Sequence, residues 1–161
     1  MDSAIGVDPG PRTGLCFIDY AGGQVVGHTL LQVDWRSARH VLGAVLANYY
    51  TETGPAGFMR RVASVEAWTE ARSGSAGKPG TVTRQLVVEL TEELQLFGYQ
   101  VTIRKAADVK PWASDRRLEK VFGKESFHGD MNHAFDAARH CIYGARQAEL
   151  CPDPLARRTV G

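Results

Sequence analysis

The chain has 161 residues, of which 43% are hydrophobic, and its formal net charge at pH 7 is +1. A chain of this length is expected to fold as one domain with a substantial core. The near-neutral total charge does not by itself indicate a nucleic-acid-binding protein, so the distribution of charges carries more information.

Several protein classes are disfavoured by the composition. No run of about 18 apolar residues is present, so we expect no membrane partner. The N-terminus has no basic segment followed by an apolar one, so we expect no secretory signal. The three cysteines, Cys16, Cys141 and Cys151, are odd in number and lack metal-ligand spacing. They indicate thiols in a reducing compartment, and we expect a cytoplasmic protein.

The first apolar run, residues 4–7, ends at Asp8 and is followed by the turn residues Pro9 and Gly10. The run is too short for a helix and has no polar alternation, so it predicts a central strand buried on both faces. An ionised carboxylate at the edge of a core requires a positive partner. Asp8 therefore either caps the turn through its side chain or holds a metal ion.

The next segments predict an antiparallel meander followed by a helix. Residues 13–19 and 24–31 are rich in β-forming side chains and are separated by a Gly-Gly turn, which predicts two further hairpin strands. A helix is predicted over residues 35–53, with Asp34 as its N-cap.

A second short apolar run, residues 62–65, also ends at a carboxylate, Glu66. A strand that follows a crossover helix usually pairs parallel to an earlier strand. If it lies beside the first strand, Asp8 and Glu66 emerge at the same edge of the sheet. That edge is where α/β sheets bind their ligands.

The second half of the chain continues the alternation of helices and strands. A Gly/Ser-rich loop is followed by a helix, a strand, a helix or broken helix with Pro111 near its first turn, and a final helix, in that order at residues 69–80, 81–97, 99–103, 107–122 and 132–148. We predict an α/β fold whose five-stranded mixed sheet has its first three strands antiparallel and is flanked by helices. The domain spans residues 1–150, and a disordered tail spans residues 151–161.

The last helix carries two candidate ligands. His133 and Asp136 are three residues apart, so their side chains can meet on one face. Asp130 lies one turn earlier and can serve instead of His133. His140 faces the same side but lies about 10 Å further along the helix at 1.5 Å per residue, so we leave it out of the site.

Three acids and an imidazole can thus converge from two strands and one helix. Such crowding is unfavourable without a cation, and oxygen-rich ligand sets suit Mg²⁺ or Mn²⁺. Two such ions about 3.5–4 Å apart can activate a water and stabilise the leaving oxygen of a phosphodiester. Residues 98–124 contain seven Lys or Arg against three acids, which predicts either a solvated helix face or a phosphate-contacting surface.

Three segments in this order, IGVDPGPRTG, VASVEAW and MNHAFDAARHCIY, resemble the RuvC-type Holliday-junction resolvases of the RNase H-like nuclease superfamily. The resemblance covers residues 4–145. It implies that the family's catalytic Asp and Glu fall on Asp8 and Glu66, and that its two closing metal-site residues fall on His133 and Asp136. All four residues are then both catalytic and metal-binding.

The resemblance also implies an activity and partners. It implies a homodimeric endodeoxyribonuclease that resolves four-way junctions by paired nicks, with two Mg²⁺ or Mn²⁺ ions in each active site. A bacterial cell or a phage-infected host is the setting it implies. The loop after Glu66 and the less basic middle segment depart from the family pattern. Forks, flaps and structured RNA are therefore alternative substrates.

Nucleic-acid contacts are expected around this site. Trp68 lies near the position of an aromatic that the family pushes into DNA, but it is equally compatible with a core aromatic. The basic candidates for contacts with DNA are Arg12, Arg72, Lys78, Arg84, Lys105, Lys110, Arg116 and Arg117.

Two other function classes are disfavoured. Sugar-kinase-like and actin-like ATPases share the strand-Asp-x-Gly pattern but need two such domains, for which this chain is too short. A binding module without catalysis would not require all four site positions to be present.

Overall fold

The computed structural model describes residues 1–53, 60–68, 79–127 and 130–156. The elements in chain order are β1 (Asp2–Asp8), β2 (Arg12–Ala21), β3 (Gln24–Asp34), α1 (Trp35–Thr53), β4 (Arg60–Glu66), α2 (Pro79–Leu96), β5 (Gln100–Arg104), α3 (Ala106–Val109), α4 (Asp115–Phe122) and α5 (Asn132–Gln147). A 3₁₀ turn, Lys124–Phe127, follows α4 and precedes α5 in the chain.

The five strands form one mixed sheet in the order β3-β2-β1-β4-β5. Tight turns join the first three strands, which are therefore antiparallel. β4 and β5 each follow a crossover helix and pair in parallel, β4 with β1 and β5 with β4. The predicted fold class is confirmed, and β1 is the central strand.

Alternation along β1 separates two hydrophobic cores. Ile5 and Val7 point to one face of the sheet, where they pack in a cluster with Leu42 of α1 and Leu90 of α2. Ala4 points to the other face and packs in the cluster formed with α5. Because both faces of β1 are covered, its end is a rigid support for Asp8.

The predicted helix over residues 107–122 is broken in the structure. α3 ends at Val109, and α4 begins at Asp115 after Ser114, so the break includes Pro111. Proline has no backbone N–H to continue the helical hydrogen bonds, which explains the interruption, while Lys110 before it keeps helical angles (φ −58°, ψ −37°).

Part of the predicted disordered tail makes defined contacts. The guanidinium of Arg117 donates two hydrogen bonds to Asp153, at 2.9 and 2.7 Å. The backbone N–H of Leu155 also donates to Asp153. Residues 151–156 are thereby attached to α4, while residues 157–161 lie outside the described part of the chain.

Two further expectations concern membrane-spanning segments and the loop after Glu66. In the described residues, no helix has the length and apolar character that crossing a bilayer requires. Most of the predicted Gly/Ser-rich loop, residues 69–78, lies outside the described residues, and Arg72 and Lys78 lie there with it.

Candidate active site

The structure brings the two strand-end acids to one edge of the sheet. Val7 of β1 and Val65 of β4 are register partners, and Asp8 and Glu66 are the next residues of these parallel strands. Neighbouring strands lie about 4.8 Å apart, so the two acids start from adjacent positions. The same alternation that places Gly6 and Ser64 under α5 also places Asp8 and Glu66 on that face.

Two glycines allow α5 to lie directly on the sheet. A Cβ on Gly6 would be 1.9 Å from the carbonyl oxygen of Ala137, and one on Gly14 would be 1.9 Å from that of His133. Both distances are far below contact, so no other residue fits without displacing the helix backbone. Gly14 is also the register partner of Asp8. The first turn of α5 is therefore held next to the carboxylate.

His133 is positioned by one row of residues across three strands. Asp8 pairs with Gly14 on β2, which in turn pairs with Gln32 on β3. The Nδ1 atom of His133 lies 2.7 Å from Oδ2 of Asp8. The side-chain oxygen of Gln32 accepts a hydrogen bond from the backbone N–H of His133, at 3.0 Å.

Gln32 and Asp130 complete this row at the start of α5. The amide of Gln32 donates to the carbonyl oxygen of Asp130, at 2.8 Å. Gln32 therefore bridges β3 and α5 at the point where a helix leaves backbone N–H groups without internal partners. The contact with Asp8 is made by His133, while Asp130 is exposed.

Asp8 is an electrostatically unfavourable carboxylate in this setting. Burial, followed by the negative charge of Glu66, raises the pKa of Asp8 to about 6. The hydrogen bond and charge of His133 oppose this rise, and the charge of Asp136 adds to it. The charges of Glu66 on β4 and Asp136 on α5 therefore both disfavour the ionised form of Asp8, and a cation bound nearby would favour that form.

Asp136 is held by two basic side chains. The ammonium group of Lys110 donates to Oδ2 of Asp136 at 2.9 Å, and Nε of Arg139 lies 3.3 Å from Oδ1. Arg139 also donates to the carbonyl oxygen of Ala113 at 2.6 Å and pairs with Asp115. Arg139 was missed from sequence, although its i, i+3 spacing from Asp136 is a signal for such a pair.

Glu66 contacts a residue that the sequence analysis left out. Nε2 of His140 lies 3.1 Å from Oε2 of Glu66, and the His140 side chain is completely buried. His140 lies seven residues after His133, two turns along the same face of α5. The separation of about 10 Å between His133 and His140 along α5 does not keep His140 away from Glu66, because Glu66 ends β4 and reaches His140 from that strand.

Among the described residues, no three His, Cys, Asp or Glu side chains converge closely enough to hold a metal ion. Asp8, Glu66 and Asp136 instead contact His133, His140 and Lys110 respectively. The donor chemistry nevertheless fits a hard divalent cation, because the candidate ligands are three carboxylates and one imidazole. Burial, and then the charge of Glu66, raise the pKa of Asp8, and this supports the fit because a bound cation would stabilise the ionised carboxylate.

The basic candidates occupy different environments. Arg12, Lys105 and Arg116 are exposed. Lys110 is also exposed but contacts Asp136. Arg117 is half-buried, pairs with Asp153, and stacks over Trp112 with its guanidinium 4.6 Å from the ring centroid.

Trp68 packs against the first turn of α2. A Cβ on Gly80 would lie 2.7 Å from the Trp68 ring, and the Arg84 guanidinium lies 4.0 Å from the ring centroid. Trp68 is half-buried by these contacts. The glycine at position 80 therefore makes room for the indole.

Comparison with solved structures defines the class of fold. No protein-family model and no curated protein matches the sequence. A structure of Thermus thermophilus RuvC in complex with a Holliday junction substrate matches with a TM-score of 0.64, covering 93% of this chain and 96% of that one at 14% identity. A second Thermus thermophilus RuvC structure matches with a TM-score of 0.62 at 14% identity, covering 92% of this chain and 96% of that chain. The chain has a RuvC-like fold of the RNase H type.

Proposed function

We propose that this protein is a metal-dependent, structure-selective DNA endonuclease that resolves four-way junctions. One observation carries the proposal: Asp8 and Glu66 end adjacent parallel strands within a RuvC-like fold, where Asp8 contacts His133 of α5 and the charges of Glu66 and Asp136 both raise the pKa of Asp8. The neighbouring structure with a bound junction supports branched DNA as the substrate class.

The site residues fit Mg²⁺ or Mn²⁺, and the proposal assigns two ions to Asp8, Glu66, His133 and Asp136. Ions bound there would supply Lewis-acid activation of a water and stabilise the leaving oxygen of the phosphodiester. His133 fits this role because metal-binding histidines usually donate their other ring N–H to a carboxylate, as its Nδ1 can do to Asp8.

The chain's own residues orient the substrate and the ligands. Gln32 and Gly14 fix the position of His133, and His133 in turn orients Asp8. Lys110 lies beside Asp136 on an exposed surface, where its ammonium group can also bind a phosphate. A homodimer, as the family resemblance implies, would place two such sites on one junction.

A nuclease panel tests the proposal. Four-way junction, fork, flap, linear duplex and structured RNA are incubated with Mg²⁺, Mn²⁺ or EDTA. Junction cleavage that needs a divalent ion is the expected result, and Asp8→Asn is expected to retain junction binding while losing cleavage. Cleavage by Asp8→Asn at the wild-type rate would refute the assignment of Asp8, and preferential cleavage of RNA would refute the substrate.

A further inference from the structure

His140 is a buried imidazole with a polar partner on each side. It lies on α5 and is completely inaccessible to solvent. Its Nε2 is 3.1 Å from Oε2 of Glu66, and its Nδ1 is 3.4 Å from the hydroxyl of Ser64, which is itself buried. Ser64 and Glu66 are two residues apart on β4, so both side chains face α5.

The chemistry of these partners fixes the direction of the hydrogen bonds. An ionised carboxylate only accepts, so Nε2 of His140 donates to Glu66. A hydroxyl can donate, so the Ser64 hydroxyl can complete the ring by donating to Nδ1. The tautomer with its proton on Nε2 satisfies both contacts without placing a second donor against Ser64.

Packing alone does not account for a histidine at this position. The neighbouring buried positions of α5 are small or apolar, as at Ala137 and Cys141. Burying a polar ring costs free energy unless its polar atoms are hydrogen-bonded. At position 140, Glu66 and Ser64 are the partners that offset this cost.

The two histidines of α5 differ in what they can reach. The His133 side chain is 43% exposed, whereas that of His140 is 0% exposed. His133 is therefore accessible to an ion or a substrate. Because His140 is buried, it can influence a reaction only through a residue that it contacts. Its contact in the proposed site is Glu66.

We propose that His140 is a positioning residue that orients the Glu66 carboxylate for ligand binding by donating from Nε2 to Oε2. This inference rests on the proposed function, because it takes Glu66 to be part of the metal site. The hydrogen bond from His140 occupies one oxygen of the Glu66 carboxylate and restricts rotation of that carboxylate. Loss of such a supporting contact typically weakens metal affinity or activity by about 10–100-fold.

Two amide substitutions separate the contact with Glu66 from the contact with Ser64. In His140→Gln the side-chain amide reaches the position of Nε2, and in His140→Asn it reaches only that of Nδ1. We expect His140→Gln to bind Mn²⁺ within a few-fold of wild type and His140→Asn to bind about 10–100-fold more weakly, measured by calorimetry on the full chain. Ser3→Ala is the control, because it removes a buried hydrogen bond to Tyr99 at the opposite end of β1.

A second measurement uses the unaltered, metal-free protein. Two-bond ¹H–¹⁵N spectra report which ring nitrogen carries the proton, and we expect a slowly exchanging proton on Nε2 of His140. A proton on Nδ1, or equal Mn²⁺ affinity in wild type, His140→Gln and His140→Asn, would overturn the positioning role. A wild-type protein that neither binds Mn²⁺ nor cleaves junctions would overturn the proposed function itself, whatever the tautomer.

Discussion

The backbone of His133 occupies the space that a side chain at Gly14 would need. A Cβ added to Gly14 would lie 1.9 Å from the His133 carbonyl oxygen and 2.3 Å from its carbonyl carbon. Gly14 is also the register partner of Asp8, whose Oδ2 lies 2.7 Å from Nδ1 of the same histidine. Because Gly14 has no side chain, α5 can lie this close to the sheet at the site.

Gly14→Ala is therefore expected to destabilise the protein and to reduce cleavage. The added methyl group meets backbone, which cannot rotate away, and such overpacking typically costs about 1–3 kcal/mol. At about 2–4 °C per kcal/mol for a chain of this size, the melting temperature falls by several degrees. Gly27→Ala is the matched control, because its Cβ would make only an ordinary 3.6 Å contact with Asp19. Equal melting temperatures for the two variants would contradict the close packing of α5 on Gly14.

Stability should fall as pH rises through the titration of Asp8. The folded-state pKa is raised from 3.8 to about 6, so the folded protein binds more protons in this window. The stability that protonated Asp8 contributes is complete below about pH 4 and is lost above about pH 6. Two pKa units correspond to roughly 3 kcal/mol.

Asp8→Asn removes this ionisation, so we expect the variant to be more stable than wild type at pH 8 in EDTA and similar to it near pH 4. Urea unfolding at the two pH values measures the difference. Asp153→Asn should behave oppositely, because the hydrogen bonds from Arg117 lower the pKa of Asp153. The stability that ionised Asp153 contributes is present above the pKa of this group in the unfolded state and is lost as the pH falls. If Asp8→Asn is no more stable than wild type at pH 8, Asp8 is not a buried carboxylate whose ionised form is unfavourable.

Divalent ions should stabilise the protein through the same site. A ligand that binds only the folded state at 100 times its dissociation constant adds about 2.7 kcal/mol. We expect Mn²⁺ to raise the melting temperature of the wild type, EDTA to reverse the rise, and Asp8→Asn to show little response. Asp153→Asn, which alters an acid bonded to Arg117, should respond like wild type. A rise of the same size in Asp8→Asn would place the ion elsewhere.

The adjacent residues Arg116 and Arg117 should respond differently to substitution. Arg116 is exposed, whereas Arg117 is bound to Asp153, to the carbonyl oxygen of Trp112 and to the Trp112 ring. Arg117→Ala should cost about 1–3 kcal/mol of stability, because charged hydrogen bonds are lost. Arg116→Ala should leave the melting temperature unchanged and weaken junction binding at low salt. Thermal unfolding and a salt titration of binding distinguish the two, and a stable Arg117→Ala variant would contradict the structural role.

Much of the fold could be predicted from local patterns. The apolar runs ending at Asp8 and Glu66, the turn residues between the first strands, and the helical spacing of residues 132–148 each depend on neighbours along the chain. The helix break near Pro111 follows equally from local chemistry. The alternation of strand and helix then implied the mixed sheet, which the structure confirms.

The sequence by itself determined the order of the elements and the two strand ends at which acids gather, because periodicity, turns and caps act over a few residues. Only the tertiary structure decided which polar side chains meet partners that are distant in the sequence. His140 reaches Glu66, Gln32 reaches His133, and Arg117 reaches Asp153, over separations of 36 to 101 residues. Such pairs depend on strand register and on how closely α5 lies on Gly6 and Gly14, and both are properties of the packed molecule as a whole.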